Sequence, residues 1–379
     1  MPASPPSVLL TRREAAEYLI GQLGLRQRRP YRGPADATAL LDALRCVQLD
    51  PLDRIGTNAD LVAMARLEGV RRGEFHRAVL GEGAAFEHFA KERCLLPASA
   101  FPWYRQQAVE TPWWRHSERM KRLPAEVVAA VLEEVRERGP CTAEDLSDHG
   151  SVEPLDWHGW ASTKKASRLA LEVLWTRCEV VVCGRTPSTH LYDVPARALP
   201  SVAEAETAGA FGRWALLERV EAAGLLSTAS GPQWSMLASV RTSTLPAALV
   251  EEGVLERVEV EGSRRAWLAP GGFRDRSFEA DDGAMRILGP LDPLVWDRKL
   301  VQHCFGFEYI WEVYKPAATR RWGYYVCPLL HRGRLVGRFE GRVEAGELVC
   351  ERLWREAEDF DEDAWQEAFE RHAAASSGG

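Results

Sequence analysis

Gln48 and Asp50 stand two positions apart in the run Cys46-Val47-Gln48-Leu49-Asp50-Pro51-Leu52-Asp53, and together they are groups that can handle water. A carboxylate beside a carboxamide can hold a water molecule, polarise it and accept its proton. The pair falls where a helix should stop. Leu40, Leu41, Leu44 and Val47 recur at helical spacing, so the segment leading to Gln48 is expected to be an amphipathic helix with one buried face. Pro51 disfavours helical backbone at Asp50 and pushes it toward an extended conformation. In an extended chain residues two apart share a side, which sets Gln48 and Asp50 toward one space and turns Leu49 into the core. From these residues alone a plain turn at Asp50-Pro51-Leu52-Asp53 is the stronger reading, because Asp and Pro are favoured in turns for local hydrogen bonding and fixed φ. The rest of the chain decides between the two.

The 379 residues are 46% hydrophobic and 27% charged, which suits a globular protein of two to four units. Met1-Pro-Ala-Ser-Pro-Pro lacks the basic and apolar regions of a secretory signal, and no run reaches the roughly 20 apolar residues that span a bilayer, so a cytoplasmic protein is expected. Cysteines 46, 94, 141, 178, 183, 304, 327 and 350 form no CxxC and no zinc-finger spacing with histidine. They read as reduced, mostly buried thiols, and neither metal nor cofactor is expected. The net charge of −7 argues against a chain that coats nucleic acid indiscriminately, while leaving room for a local basic face.

The elements that must position the pair can be read in order. Thr11-Arg12-Arg13-Glu14 fits a capping box before a helix to about Leu23. A basic loop follows, Arg26-Gln-Arg-Arg-Pro-Tyr-Arg32, in which Arg28 and Arg29 are candidate phosphate contacts and a solvated linker is an equal reading. Short helices are expected at 58–67 and 72–80. The block Phe86 to Pro97 then mixes aromatics with charges that are awkward to bury unpaired, and Trp103-Tyr104 and Trp113-Trp114 stand near Arg105, Arg115, Arg119 and Arg122. Such rings can stack on bases, but more often they are core. From Pro124 the pattern is three helices (125–138, a short one capped at Thr142, 164–177) and two strands (179–183, 189–193), which is a winged helix. It repeats with helices at about 206–223, 232–239 and 244–253 and a hairpin at 254–260 and 265–269. Tandem winged helices raise the expectation of DNA binding.

The C-terminal part reads as strands at 308–315, 324–330, 335–343 and 346–353, turning at Arg332-Gly333 and Ala345-Gly346. The tip between the first two, Pro316-Ala-Ala-Thr-Arg-Arg-Trp-Gly323, carries two arginines and a tryptophan. An acidic helix from about 356 and a disordered Ser-Ser-Gly-Gly end follow. The expected division is 1–123 (candidate catalytic motif), 124–200 and 201–280 (winged helices), 281–356 (strands) and 357–379.

Four blocks in this order resemble the winged-helix DNA glycosylases of the AlkZ and YcaQ type: Val47-Gln48-Leu49-Asp50; Phe86 to Pro97, ending Cys-Leu-Leu-Pro; Gly289-Pro-Leu-Asp-Pro-Leu-Val-Trp-Asp-Arg298; and Glu312-Val-Tyr-Lys-Pro-Ala-Ala-Thr-Arg-Arg-Trp-Gly-Tyr-Tyr325 running on to Arg338. The resemblance implies an α+β fold, tandem winged helices closed into a C shape by a β-barrel, acting as a monomer on double-stranded DNA. It implies excision of N7-alkylguanine and unhooking of interstrand crosslinks, with Gln48 and Asp50 catalytic and a motif of the Gln-apolar-Asp, YcaQ kind. It makes the 316–323 tip a DNA-inserting hairpin, with Lys315, Thr319, Arg320, Arg321, Trp322 and Arg338 as DNA contacts. Trp322 stands where a smaller aromatic is usual, and Glu340 where Asp is. No lysine is identified as a Schiff-base nucleophile, so a monofunctional enzyme is expected. Two other readings remain, a non-catalytic DNA-binding regulator and a protein-interaction scaffold.

Overall fold

In the computed structural model of the chain, which describes residues 7–108, 121–152, 164–186 and 189–376, the capping box at Thr11 forms as expected. The Thr11 hydroxyl accepts the Glu14 N–H at 3.1 Å, the Glu14 carboxylate accepts the Thr11 N–H at 2.7 Å, and the helix Arg12–Gln22 follows. The fold is mixed α+β and divides into two compact units. One contains Met1–His76, Phe89–Cys94 and Gly212–Gly379; the other contains Arg77–His88 and Leu95–Phe211. The expected C-terminal end from 377 lies outside the described residues, as do Trp113, Trp114, Arg115 and Arg119.

In the first unit the hairpin expected at 254–269 forms from Leu255–Val260 and Ala266–Pro270, with Val258 opposite Trp267. Val8–Leu10 adds to it in parallel, Val8 beside Val258, a strand that three residues gave no sequence signal for. Tyr18, Leu19 and Ile20 of the first helix pack with Trp267, Phe273, Leu294 and Tyr309 beneath this sheet. The C-terminal strands are Arg286–Ile287, Val326–His331, Arg334–Glu344 and Glu347–Arg355, antiparallel and adjacent in that order. Both predicted turns are present, with positive φ at Arg332, Gly333, Ala345 and Gly346, the backbone that matches strand twist in two-residue hairpins.

Two expectations are corrected here. The described C-terminal strands make an open sheet, not a closed barrel, because the helix Glu362–Ser376 covers its face instead. Trp365 and Phe369 of that helix pack on Phe339, and Arg371 donates to the Met285 carbonyl at 2.8 Å. The segment at 308–315 is not a strand: it is loop, whose backbone is organised by a buried carboxylate described below.

The second unit holds the helices Ala125–Arg138 and Ala166–Thr176 and an antiparallel pair, Val181–Arg185 with His190–Asp193. At Thr142 the hydroxyl and N–H both donate to the Asp145 carboxylate, but they close a turn and not the expected short helix. Phe86 packs edge-on against Phe101 and Tyr104, so these described aromatics are core. Glu87, fully buried, is held by Arg185 at 2.8 Å.

Buried in the first unit, the Arg66 guanidinium meets the Asp292 carboxylate through two bonds of 2.7 and 3.0 Å and donates again to the carbonyls of Leu23 and Val62. Both side chains are at most 1% exposed. Removing one partner strands a buried charge, so Asp292→Ala is expected to cost about 3–5 kcal/mol in urea unfolding, with Arg66→Met added in the same chain recovering part of it.

Candidate active site

Pro34 sits at the start of the helix Pro34–Leu44, where its missing N–H costs nothing. The helix stops at Leu44, not at Gln48, because Arg45 turns left-handed with φ +63. The chain then runs extended through Val47–Gln48, so a short strand and not a helix end carries Gln48. Val47 is fully buried and Gln48 8% exposed. Leu49 is only half-buried, not a core anchor; its N–H donates to the Arg93 carbonyl at 2.8 Å. Asp50 is half-buried too, and its Oδ1 accepts the Leu52 N–H at 2.9 Å. The turn reading therefore holds locally: one carboxylate oxygen closes a turn, and among the described residues Asp50 forms no ion pair. Burial raises its pKa above the ordinary carboxylate value, opposed by the Leu52 N–H.

Two groups the sequence did not single out hold Gln48. Lys91 sits at the turn between the strands Ala85–Ala90 and Glu92–Pro97, where Glu92 takes φ +85. Its Nζ donates to Gln48 Oε1 at 2.7 Å and lies 5.0 Å from the centre of the Trp296 ring. Burial lowers its pKa to about 8. Behind the strand, the fully buried Asn58 donates from Nδ2 to the Gln48 carbonyl at 2.8 Å, and its Oδ1 accepts the Leu291 N–H at 3.2 Å. Gly289 permits this approach: a Cβ there would fall 2.5 Å from Asn58 Oδ1. Trp296 Nε1 donates to the Leu291 carbonyl at 2.9 Å. The Gly289-to-Arg298 block is thus the back wall of the Gln48 strand. The only signal for Lys91 in the sequence was a charge inside an apolar block.

The 306–325 loop is built on a second carboxylate. Glu312, 2% exposed, accepts backbone N–H groups from Arg321 at 3.2 Å, Trp322 at 2.7 Å and Gly323 at 3.4 Å, and the Lys315 ammonium at 2.8 Å. Burial opposes its ionisation, but these donors outweigh it and bring the pKa down to about 2. Glu340 takes the N–H groups of Tyr324 and Tyr325. On this frame Lys315, Thr319 and Arg321 are exposed, and Arg320 lies over the Tyr324 ring at 4.9 Å. Arg321 pairs with Glu308 at 2.9 Å in solvent, a contact that a phosphate can replace. Tyr314, 85% exposed, is an aromatic on the same loop that sequence reading passed over.

Arg338 is corrected: it is 1% exposed, paired with Glu356, and sandwiched against the rings of Trp322 at 4.1 Å and Phe307 at 3.9 Å. It supports the loop from beneath and offers no open guanidinium. Arg28 turns toward Asp282, whose carboxylate takes its N–H at 3.0 Å, while Arg29 is exposed. The buried Tyr325, at the end of the loop, has its phenol pushed well up by burial, with the Asp50 carboxylate adding to the effect. Among the described residues no group of His, Cys, Asp and Glu could hold a metal ion, and no helix is long and apolar enough to cross a membrane.

Residues 41–375 match the family described as DNA glycosylase AlkZ-like. Among solved structures, the DNA glycosylase AlkZ of Streptomyces sahachiroi is similar in fold over 98% of both chains, with a TM-score of 0.61 and 17% sequence identity.

Because the Glu312 carboxyl is held below its ordinary 4.5, its contribution is complete above that value and is lost as pH falls toward about 2. Hydrogen exchange is expected to show the amides of Arg321, Trp322 and Gly323 protected at neutral pH in the wild type and released in Glu312→Gln. The loss corresponds to on the order of 3 kcal/mol of local stability.

Proposed function

The chain belongs to the DNA glycosylase AlkZ-like family and is a DNA glycosylase, and from that premise we propose that it hydrolyses the N-glycosidic bond of N7-alkylguanine and unhooks interstrand crosslinks, leaving abasic sites. The observation that carries this reading is Asp50, a half-buried carboxylate without an ion-pair partner among the described residues, two positions from the fixed side chain of Gln48. N7-alkylation places a positive charge on the purine and makes it a good leaving group, so the bond needs little acid assistance. What the enzyme must supply is stabilisation of the electron-poor sugar and a correctly held water. Asp50 does both, facing the developing cation and accepting the proton of the water, while Gln48 orients that water. Gln48-Leu49-Asp50 is of the Gln-apolar-Asp kind, which favours the broad alkyl-purine substrate range of the YcaQ branch.

DNA is held, in this reading, by the 306–325 loop. Lys315, Thr319, Arg320, Arg321 and Trp322 meet the groove, and Arg29 with the basic segment around it meets phosphate. Bulky crosslinked bases do not turn easily into a closed pocket, and a wedging loop suits them better than full extrusion. The helix-and-hairpin segments at 124–200 and 201–280 act as winged helices that carry the duplex, and a monomer suffices.

The test is base release from a duplex with one N7-methylguanine and from a nitrogen-mustard crosslinked duplex, read as alkali-labile abasic sites. Asp50→Asn is expected to lower the single-turnover rate by roughly 100- to 10,000-fold with DNA affinity retained. Wild-type activity should fall on the acid side as Asp50 takes up its proton, at a pH above the ordinary aspartate value. An enzyme that binds DNA yet releases neither base would instead be a non-catalytic DNA-binding regulator.

A further inference from the structure

Lys91 is 5% exposed, and its Nζ lies 2.7 Å from Gln48 Oε1 and 5.0 Å from the Trp296 ring centre. Burying an ammonium is costly unless it is compensated, and among the described residues no carboxylate pairs with it. An apolar side chain would fill the same space at less cost. A charge kept in such a place asks for a chemical reason, and its partner supplies one.

A glutamine carboxamide has two ends of nearly equal shape and opposite hydrogen-bonding sense, and nothing in Gln48 alone chooses between them. An ammonium group does choose. It has three donors and no acceptor, so the end of Gln48 that meets it must be the carbonyl. The Gln48 backbone is fixed independently by Asn58 through its carbonyl, so the side chain is the remaining freedom. We propose that Lys91 is a positioning residue of the glycosylase: its bond to Oε1 locks the carboxamide so that the NH2 end of Gln48 is the one left to donate to the attacking water. A water held by donation to its oxygen has both protons free, one of which Asp50 can accept. The assignment rests on Gln48 and Asp50 forming the active site.

The locking requires a charged amine. Once deprotonated, Nζ gains an acceptor lone pair and tolerates either end of the amide. The charge on Lys91 is lost near pH 8, set mainly by burial, with the neighbouring Cys94, Arg219, Glu92 and Cys46 modifying it. Wild-type turnover is therefore expected to decline as pH rises through about 8.

The experiment is single-turnover release of N7-methylguanine by the full chain between pH 6.5 and 9, for wild type, Lys91→Met, Gln48→Ala, Gln48→Glu and the Lys91→Met/Gln48→Ala double variant, with duplex affinity measured in parallel. Lys91→Met is expected to slow base release roughly 10- to 100-fold, the scale of a misplaced catalytic group, without weakening DNA binding, and to remove the alkaline decline. The double variant should be no slower than Gln48→Ala. Gln48→Glu, which keeps Lys91 paired but has no donor end, should also be slow, and it tests the idea if Lys91→Met fails to fold. If Gln48→Ala is slow while Lys91→Met matches wild type, or if the two losses multiply, the positioning role is overturned and the active-site reading stands. A fast Gln48→Glu also overturns it. If Gln48→Ala is itself as fast as wild type, the role assigned to Gln48 fails, and that of Lys91 with it. Borohydride trapping of DNA on Lys91 would make it a nucleophile and refute the assignment.

Discussion

The carboxamide of Asn58 is the connection on which the candidate site depends. It is fully buried, and it satisfies the Gln48 carbonyl on one side and the Leu291 N–H on the other. An unsatisfied polar group at this depth costs about 1–3 kcal/mol, so the two backbones are held together or not at all. The same short helix, Asn58–Met64, leads directly to Arg66, which closes on Asp292 of the same distant block. One helix is thus tied at both ends to the Gly289-to-Arg298 stretch, and the Gln48 strand is fixed between them. The buried ion pair is weak evidence of net stability, but breaking it leaves a charge that nothing else can neutralise.

Five carboxylates of this chain fall into three kinds by what they chiefly accept. Glu312 and Glu340 are saturated by backbone N–H groups and shape a loop. Asp292 and Glu87 are saturated by arginines and shape cores. Asp50 takes one backbone N–H and keeps acceptor capacity in a half-buried position. Its raised pKa and the depressed pKa of Glu312 follow from the same rule, the balance of desolvation against donors.

The loop that carries the candidate DNA contacts shows how irregular backbone is kept in one shape. Glu312 gathers three consecutive amides, and Arg338 lies under Trp322. The exposed side chains are then free to exchange partners, since the Arg321–Glu308 pair is in solvent and worth little by itself. Specific shape is stored below the surface and charge is displayed above it.

The sequence by itself determined the local elements: the Thr11 capping box, the hairpin at 254–269, the turns at Arg332-Gly333 and Ala345-Gly346, and the order of the blocks that places the chain in its family. These are legible because capping, alternation and turn preference act over a few residues. It also marked Gln48 and Asp50 as a pair, because Pro51 limits the backbone beside them. Only the tertiary structure decided that the helix ends at Arg45, that the C-terminal sheet stays open under a helix, that 308–315 is loop, and that Arg338 is buried. It alone brought Lys91 and Asn58 to Gln48. The reason is that a hydrogen bond or ion pair between distant segments is chosen by which groups are desolvated together, and that depends on packing the chain as a whole, not on the spacing of residues along it.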